Sequence, residues 1–274
     1  MVCPTPGASS IRKWFWAALV AGLLAGGWIS LQSRPPIPES SQSVSTPAAP
    51  PPPVEATPVE PPAPAPEPAP ATETEPMVVN LGAGRYSVGA VTFDRKTREI
   101  TIPAAVNMRE GPVEYVLVGN KGKVHEAVFT TDAEARDIHV AALLLGVKPE
   151  PDLGPENSAT VVKDKGAVVL RVEWDRNGPP EKMFLNETVN QANPSTGEVS
   201  GTLPAGAWLY NGSRIEADGV FAATRHASII SIIRDDDALI NNPGASRDND
   251  EIHTPHTAKL PKKDHPVRII MRVK

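Results

Sequence analysis

The sequence predicts a β-rich α+β domain of antiparallel strands and hairpins with one clear helix, preceded by a membrane helix and a disordered proline-rich linker. Three observations support this prediction. An uncharged apolar run lies near the N-terminus, a proline-rich stretch follows it, and from Met77 onward apolar residues mostly alternate with polar ones. Such alternation is typical of half-buried strands, because successive side chains in a strand point to opposite faces of the sheet.

The N-terminal segment has the pattern of a membrane signal-anchor. Residues 1–13 end in the pair Arg12-Lys13 and are expected to form a cytoplasmic stub, while residues 14–32 carry no charge. At about 1.5 Å per residue, a helix of this length can span a bilayer. Because the positive pair stays inside, we expect a single-pass protein of the bacterial cell membrane with its C-terminal domain outside the cytoplasm. The alternative is a signal cleaved near Ala25-Gly26-Gly27, which would release a secreted protein.

Residues 33–76 form the proline-rich stretch. They hold 16 of the 31 prolines, with six glutamates against one arginine. A segment of this composition has little apolar surface to bury, and proline keeps the backbone extended, so we expect a disordered, semi-rigid linker. The rest of the chain has a formal charge of zero, which leaves no cationic excess for phosphate contacts. We therefore expect no nucleic acid as a partner.

Residues 77–274 are predicted to form one globular domain. Val91 and Phe93 lie before the polar turn 94–98, and Ile100 and Ile102 lie after it, which indicates a first hairpin. The alternating segments 113–117 and 125–129 flank the turn residues Asn120-Lys121-Gly122 and predict a second hairpin. Further strands are predicted over residues 168–174, 183–189, 207–210, 219–223, 228–233 and 267–273.

One helix has clear start and stop signals. The sequence Thr131-Asp132-Ala133-Glu134 matches a capping box, in which the Thr131 hydroxyl and the Glu134 carboxylate satisfy free amides of the first turn. An apolar stripe from Ile138 to Leu145 follows, and Gly146 marks the end of the helix. A short second helix is predicted from Asp235 through residues 238–240, because carboxylates favour a helix N-terminus.

The last fifty residues contain the densest group of polar side chains. We take four of them as candidate metal ligands: Asp237, Asp248, Asp250 and His253. Oxygen-rich loops bind calcium, and carboxylates together with imidazoles bind zinc, so calcium or zinc is the possible cofactor. The segment does not match an EF-hand, which requires glycine at the position of His253. The alternative is a long exposed loop that uses these residues for its turns.

Sequence motifs for other chemistry are missing. His125-Glu126 lacks the second histidine of a zinc-protease motif, because position 129 is phenylalanine. The domain has no nucleophile motif, no nucleotide-binding glycine loop and no cysteine, and the single Cys3 excludes intramolecular disulfides and iron–sulfur sites. We therefore name no catalytic residue and no cofactor beyond the possible calcium or zinc.

Five segments of the domain resemble a known family. They are residues 110–115 (EGPVEY), 125–131 (HEAVFTT), 139–146 (HVAALLLG), 208–213 (WLYNGS), and 237–243 (DALINNP) with 248–250 (DND). In this order they resemble the YdjY-domain family of bacterial proteins, which are commonly exported or membrane-attached and whose biochemical function is not established. The resemblance spans about residues 88–273. It implies a shared fold but supplies no catalytic residues, and this chain lacks the cysteines that a ferredoxin-type cluster needs.

Two functions from different classes follow from these observations. The first is a membrane-anchored extracytoplasmic domain that binds a ligand or an envelope protein, or that has a structural role in the envelope. The alternative is a metal-dependent hydrolase that uses the C-terminal aspartates and histidine. The two differ in geometry, because a hydrolase needs its carboxylates and imidazoles to converge in one cleft.

Overall fold

The computed structural model describes residues 77–176 and 178–274. The predicted cytoplasmic stub (1–13), membrane helix (14–32) and linker (33–76) lie outside the described residues. Within the described ranges, no helix has the length and apolar character needed to cross a bilayer. The structure therefore concerns the domain that follows the linker.

Fifteen strands and two α-helices make up the described domain. In chain order the strands are β1 Val78–Gly82, β2 Arg85–Val88, β3 Val91–Asp94, β4 Glu99–Val106, β5 Tyr115–Gly119, β6 Ala127–Thr131, β7 Ala167–Trp174, β8 Glu181–Phe184, β9 Val189–Ala192, β10 Val199–Thr202, β11 Trp208–Tyr210, β12 Ser228–Ser231, β13 Ile240–Asn241, β14 His253–Pro255 and β15 Pro266–Val273. The helices are α1 Ala135–Leu144 and α2 Ala222–His226. Short 3-10 turns cover Val124–Glu126, Asp164–Gly166, Leu185–Thr188 and Ala245–Asp248.

Eight of these strands close into a barrel, in the order β4-β15-β7-β11-β13-β12-β5-β6. The barrel closes because β6 pairs with the end of β4, where Val106 lies opposite Phe129. Two of its pairs, β5–β6 and β12–β13, are parallel. The predicted α+β fold of antiparallel strands and hairpins is therefore wrong, although the domain is β-rich. Alternation indicates where strands lie, but it does not encode their partners or the closure of a sheet.

The second predicted hairpin is the clearest case. The turn is present, since the Gly122 amide donates to the Gly119 carbonyl at 2.8 Å. The chain then passes through the 3-10 turn Val124–Glu126, so that Ala127 lies beside Tyr115 and β6 runs parallel to β5. Turn residues indicate where a chain reverses, but they do not determine with which strand the next strand pairs.

Outside the barrel, β1, β2 and β3 extend the sheet from β4, and Phe93 pairs with Ile100 as the first predicted hairpin requires. A separate sheet contains β10, β9 and β14. The strand predicted over residues 183–189 is interrupted by the turn Leu185–Thr188, and α2 occupies part of the strand predicted over residues 219–223. The prediction for β7 is confirmed, because Leu170 and Val172 are buried while Arg171 between them is partly exposed.

The two helix starts were predicted incorrectly. Helix α1 buries Ile138, as predicted, but its N-cap residue is Glu134, which makes no side-chain capping bond. The Thr131 hydroxyl instead donates to the Pro103 carbonyl and accepts from the Ala133 amide, so it ties β6 to β4. The second predicted helix does not form. The Asp235 carboxylate accepts from the Asp237 amide at 2.9 Å, and this local turn competes with helical hydrogen bonding.

A long loop before β7 is held in place by one buried cation. Arg247 is 1% exposed, and its Nη2 donates to the carbonyl oxygens of Leu153, Pro155 and Ser158 at 2.5, 3.3 and 3.2 Å. These bonds replace the water that a guanidinium loses on burial. Arg247 therefore has a structural role: it holds the loop before β7 in place.

Candidate functional site

A polar cleft of about 310 Å³ lies where several distant segments of the chain meet. Strand β5 and the turn after it supply its first wall, the end of α2 and the start of β12 supply the second, and the loop before β13 supplies the third. The lining residues are Tyr115, Lys121, Gly122, Lys123, Arg225, His226, Ser228, Asp235 and Asp237. We call this feature the polar cleft.

A glycine allows two walls of the polar cleft to approach each other. A Cβ atom at Gly122 would lie 3.0 Å from both the Ala227 Cβ and the His226 carbonyl oxygen. Real Cβ contacts are rarely so short. Ala227 itself takes a left-handed conformation, with φ of 53°, which ends α2 and turns the chain into β12. The cleft therefore depends on backbone packing between the 120–123 turn and the end of α2.

Tyr115 forms one side of the cleft. Its hydroxyl donates to Asp235 Oδ2 at 3.1 Å. Burial and the neighbouring Asp235 charge raise the pKa of Tyr115 to about 12, so the phenol remains protonated and acts as a hydrogen-bond donor. Lys123 Nζ lies 5.1 Å from the centroid of the same ring, within range of a cation–π contact.

Lys123 also connects two carboxylates. Its Nζ lies 3.5 Å from Glu114 Oε2 and 3.8 Å from Glu126 Oε2. Burial and the charge of Glu126 raise the pKa of the Glu114 carboxyl, while Lys123 acts in the opposite direction. His125, which the sequence placed on a strand, lies in a 3-10 turn with its Nε2 3.3 Å from Glu126 Oε1. One ammonium group thus offsets the repulsion between two acids.

The opposite side of the cleft contains a second charge network. Arg214 Nε and Asp237 Oδ1 form an ion pair at 2.7 Å. His226 Nε2 lies 3.5 Å from Asp237 Oδ2 and 3.3 Å from Glu216 Oε1. Arg225 pairs with Glu216 as well. These contacts fix the positions of charges of both signs around the cleft.

Two cleft residues remain without partners. Ser228 is 3% exposed, and its hydroxyl has no hydrogen-bond partner among residues 77–176 and 178–274. Lys121 forms no ion pair within the same ranges. The hydroxyl oxygen is not itself enclosed by protein but opens into the cleft, so Ser228 is a position where a ligand atom can form a hydrogen bond.

The four predicted metal ligands do not come together. Of these, Asp237 lines the polar cleft, whereas Asp248 accepts from Arg234 Nε at 3.0 Å and from the Asn157 amide at 2.6 Å. Burial favours the protonated form of Asp248, but these hydrogen bonds outweigh it and lower the pKa of the carboxyl. In the described part of the chain, no group of three or more His, Cys, Asp or Glu residues is placed to hold a metal ion.

The other two predicted ligands differ in their exposure. Asp250 is solvent-exposed, whereas His253 on β14 is fully buried. Neither ring nitrogen of His253 has a hydrogen-bond partner within the described ranges. Burial lowers the pKa of His253 to about 4, with the Asp250 charge acting in the opposite direction. The imidazole is therefore neutral at neutral pH.

Most of the cleft could not be found from sequence spacing. Tyr115, His226 and Asp237 are far apart in the chain, and only Asp237 had been selected as a candidate. One signal did point toward the cleft: the family-like segments 110–115 and 237–243 both contribute lining residues.

Comparisons with known proteins identify the family. No curated protein and no solved structure matches the chain. One family model, described as YdjY domain, matches residues 91–272, which is more than half of the chain and includes every residue that lines the polar cleft. The chain therefore belongs to the YdjY-domain family.

Proposed function

We propose that this protein is a membrane-anchored, extracytoplasmic binding module whose polar cleft binds a small zwitterion, such as a free amino acid or a short peptide. Residues 14–32 would anchor it in the bacterial cell membrane, and residues 33–76 would hold the domain away from the bilayer. If the signal is cleaved instead, the secreted domain would carry the same cleft.

The observation that carries this proposal is the unpartnered Ser228 hydroxyl, which opens into a cleft lined by charges of both signs. A ligand carboxylate would accept a hydrogen bond from Ser228 and pair with Lys121. A ligand ammonium would pair with Asp235 or Asp237, which are also cleft residues. Because Tyr115 and Arg214 already hold the Asp235 and Asp237 carboxylates in place, a ligand would lose little free energy in ordering these two groups.

The size of the cleft supports a small ligand. Its volume of about 310 Å³ lies at the lower end of the range of about 300–1,000 Å³ that is typical of ligand pockets. Metal-dependent hydrolysis, the alternative from the sequence, has no ligand cluster to support it in the described part of the chain.

Calorimetric titration of the full chain with the dipeptide Ala-Ala tests the proposal. We expect saturable binding that weakens about tenfold when the probe is N-acetylated or C-amidated, since each change removes one charge-assisted contact worth about 1.4 kcal/mol. The variants Ser228→Ala and Lys121→Ala should each weaken binding by about five- to tenfold.

Lys262→Ala is the matched control, because this lysine is exposed and does not line the cleft. It should bind Ala-Ala as the unmodified protein does. The proposal is wrong if Ala-Ala and its doubly blocked form give the same heat, or if Ser228→Ala leaves the affinity unchanged.

A further inference from the structure

A second and larger cavity, of about 660 Å³, lies against strands β7 and β15. It shares no lining residue with the polar cleft. Its lining residues are Arg98, Val169, Arg171, Phe184, Asn186, Ala205, Gly206, Ala207, Arg272, Val273 and Lys274. We call it the basic groove.

The floor of the basic groove lies on the outer side of the barrel. Val169 and Arg171 are partly exposed, while Leu170 between them points into the core. Phe184 on β8 lies opposite Arg171 across the ladder and is 51% exposed. An aromatic side chain exposed to this extent beside a valine gives the groove an apolar surface that is accessible from solvent.

The charged side chains that line the groove are all cationic. None of the lining residues is an aspartate or a glutamate. Arg171 pairs with Glu99 at 3.0 Å, and Arg98 Nη2 donates to the Lys274 carbonyl at 2.7 Å. The side chains of Arg272 and Lys274 form no ion pair with any residue that the structure describes. These two cations are therefore available to an anion.

The backbone at the floor argues against a bound peptide strand. Strand β15 pairs with β4 on one side and β7 on the other, and β7 pairs with β15 and β8. An extended peptide gains affinity by adding to a free sheet edge, and β15, which carries both free cations, has none because it is paired on both sides. The available interactions are apolar contact and charge.

We infer that the basic groove binds a free fatty acid, with the acyl chain against Val169 and Phe184 and the carboxylate between Arg272 and Lys274. Burial of the acyl chain removes apolar surface from water on both partners. The two cations favour a carboxylate over a neutral headgroup, because neither side chain forms an ion pair with a residue that the structure describes. This inference is independent of the function proposed for the polar cleft.

Photo-crosslinking of the full chain with a diazirine-bearing palmitic acid tests the inference, with the labelled peptides located by mass spectrometry. We expect labelling at Val169 or Phe184, competed by unlabelled palmitate but not by its methyl ester. The double variant Arg272→Gln with Lys274→Gln should lower labelling about fivefold or more, as expected for the loss of about 1 kcal/mol of charge interaction.

Two further variants make the result specific. Phe184→Ser should lower labelling while keeping both cations, and Lys262→Gln with Lys263→Gln, which changes two exposed lysines outside the groove, should leave it unchanged. Each variant is first checked for an unchanged unfolding midpoint. Labelling spread over other surfaces, competition by the methyl ester, or equal labelling by a diazirine phosphatidylglycerol would overturn the assignment to a free fatty acid.

Discussion

The polar cleft and the basic groove balance their charges in opposite ways. In the cleft, Lys123 lies between two glutamates, and Asp237 pairs with Arg214. In the groove, the side chains of Arg272 and Lys274 form no ion pair with a residue that the structure describes, and no aspartate or glutamate lines the groove. Charges that pair with each other hold a site in shape, whereas unpaired charges of one sign leave a potential that attracts a counter-ion. The two cavities are therefore suited to different ligands.

The two sites also differ in their origin along the chain. The cleft joins side chains from β5, α2, β12 and the loop before β13, so its ion pairs connect segments that are distant in sequence. The floor of the groove lies on neighbouring strands that the sheet already holds together. We therefore expect the loss of a cleft ion pair to lower the stability of the domain, whereas the loss of an unpaired groove cation should leave the stability nearly unchanged.

The largest expected effect concerns His253. Its ring nitrogens have no hydrogen-bond partner in the described ranges, and, unlike the groove cations, the side chain is buried away from water. His253 has a folded pKa of about 4, below its ordinary value of 6.5. Because the unfolded chain binds the proton more tightly, protonation of His253 costs no stability above about pH 6.5. The free energy of unfolding then falls as the pH decreases from 6.5 toward 4. The loss should reach about 2 kcal/mol at pH 5 and about 3 kcal/mol at pH 4.

Urea unfolding, followed by tryptophan fluorescence at pH 7 and pH 5, measures this loss. The matched variant His253→Leu cannot titrate at this position, so its stability should change much less between the two pH values. An equal loss in both proteins would mean that other groups cause the acid sensitivity and that His253 is better solvated than its burial indicates.

A smaller effect is expected when one cation is removed from each cavity and the changes in stability are compared. Lys123→Ala removes two ion pairs and a cation–π contact, and it leaves Glu114 and Glu126 to repel each other. We expect it to lower the stability by about 1 kcal/mol, which corresponds to a decrease of about 2–4 °C in the unfolding midpoint. Arg272→Ala removes no such contact and should change the stability by less than about 0.5 kcal/mol.

Differential scanning calorimetry of both variants provides the comparison. The ion pairs of Lys123 are partly exposed, so raising the salt concentration should reduce the difference between the two variants. If Arg272→Ala is as destabilising as Lys123→Ala, the groove cation has a structural partner and the contrast between the sites fails.

The sequence contained enough information to locate many strands but not to assemble them. The alternation in β7 and the pattern around Phe93 and Ile100 are local, so they could be read correctly. The closure of the barrel depends on β4 pairing with β6, and no local pattern encodes a pairing between distant segments. Thr131 was assigned to a helix cap because its spacing fits, whereas the structure uses its hydroxyl between two strands.

The candidate site was harder to predict for the same reason. A cluster of acids in sequence suggested a metal site, but each acid was considered without the arginines that meet it in the fold. In the fold, Asp237 forms an ion pair with Arg214, and Asp248 forms one with Arg234. The unpartnered state of Ser228 is a property of the folded chain alone, so no motif could have revealed it.

The smallest expected effect is the response to added metal, and it tests whether paired carboxylates remain available to a cation. A calcium ion at Asp237 or Asp248 would have to displace Arg214 or Arg234, and Asp250 is exposed to water. We therefore expect calcium or zinc to move the unfolding midpoint by no more than about one degree, because weakly held ions are screened by salt. A bound metal at a hundredfold excess over Kd would instead stabilise the domain by about 2.7 kcal/mol. A chelator-reversible increase of several degrees, lost in Asp248→Asn with Asp250→Asn, would show that metal competes successfully with the arginines. The carboxylates of the cleft and its surroundings would then have to be regarded as metal ligands that pair with arginine only when the metal is absent.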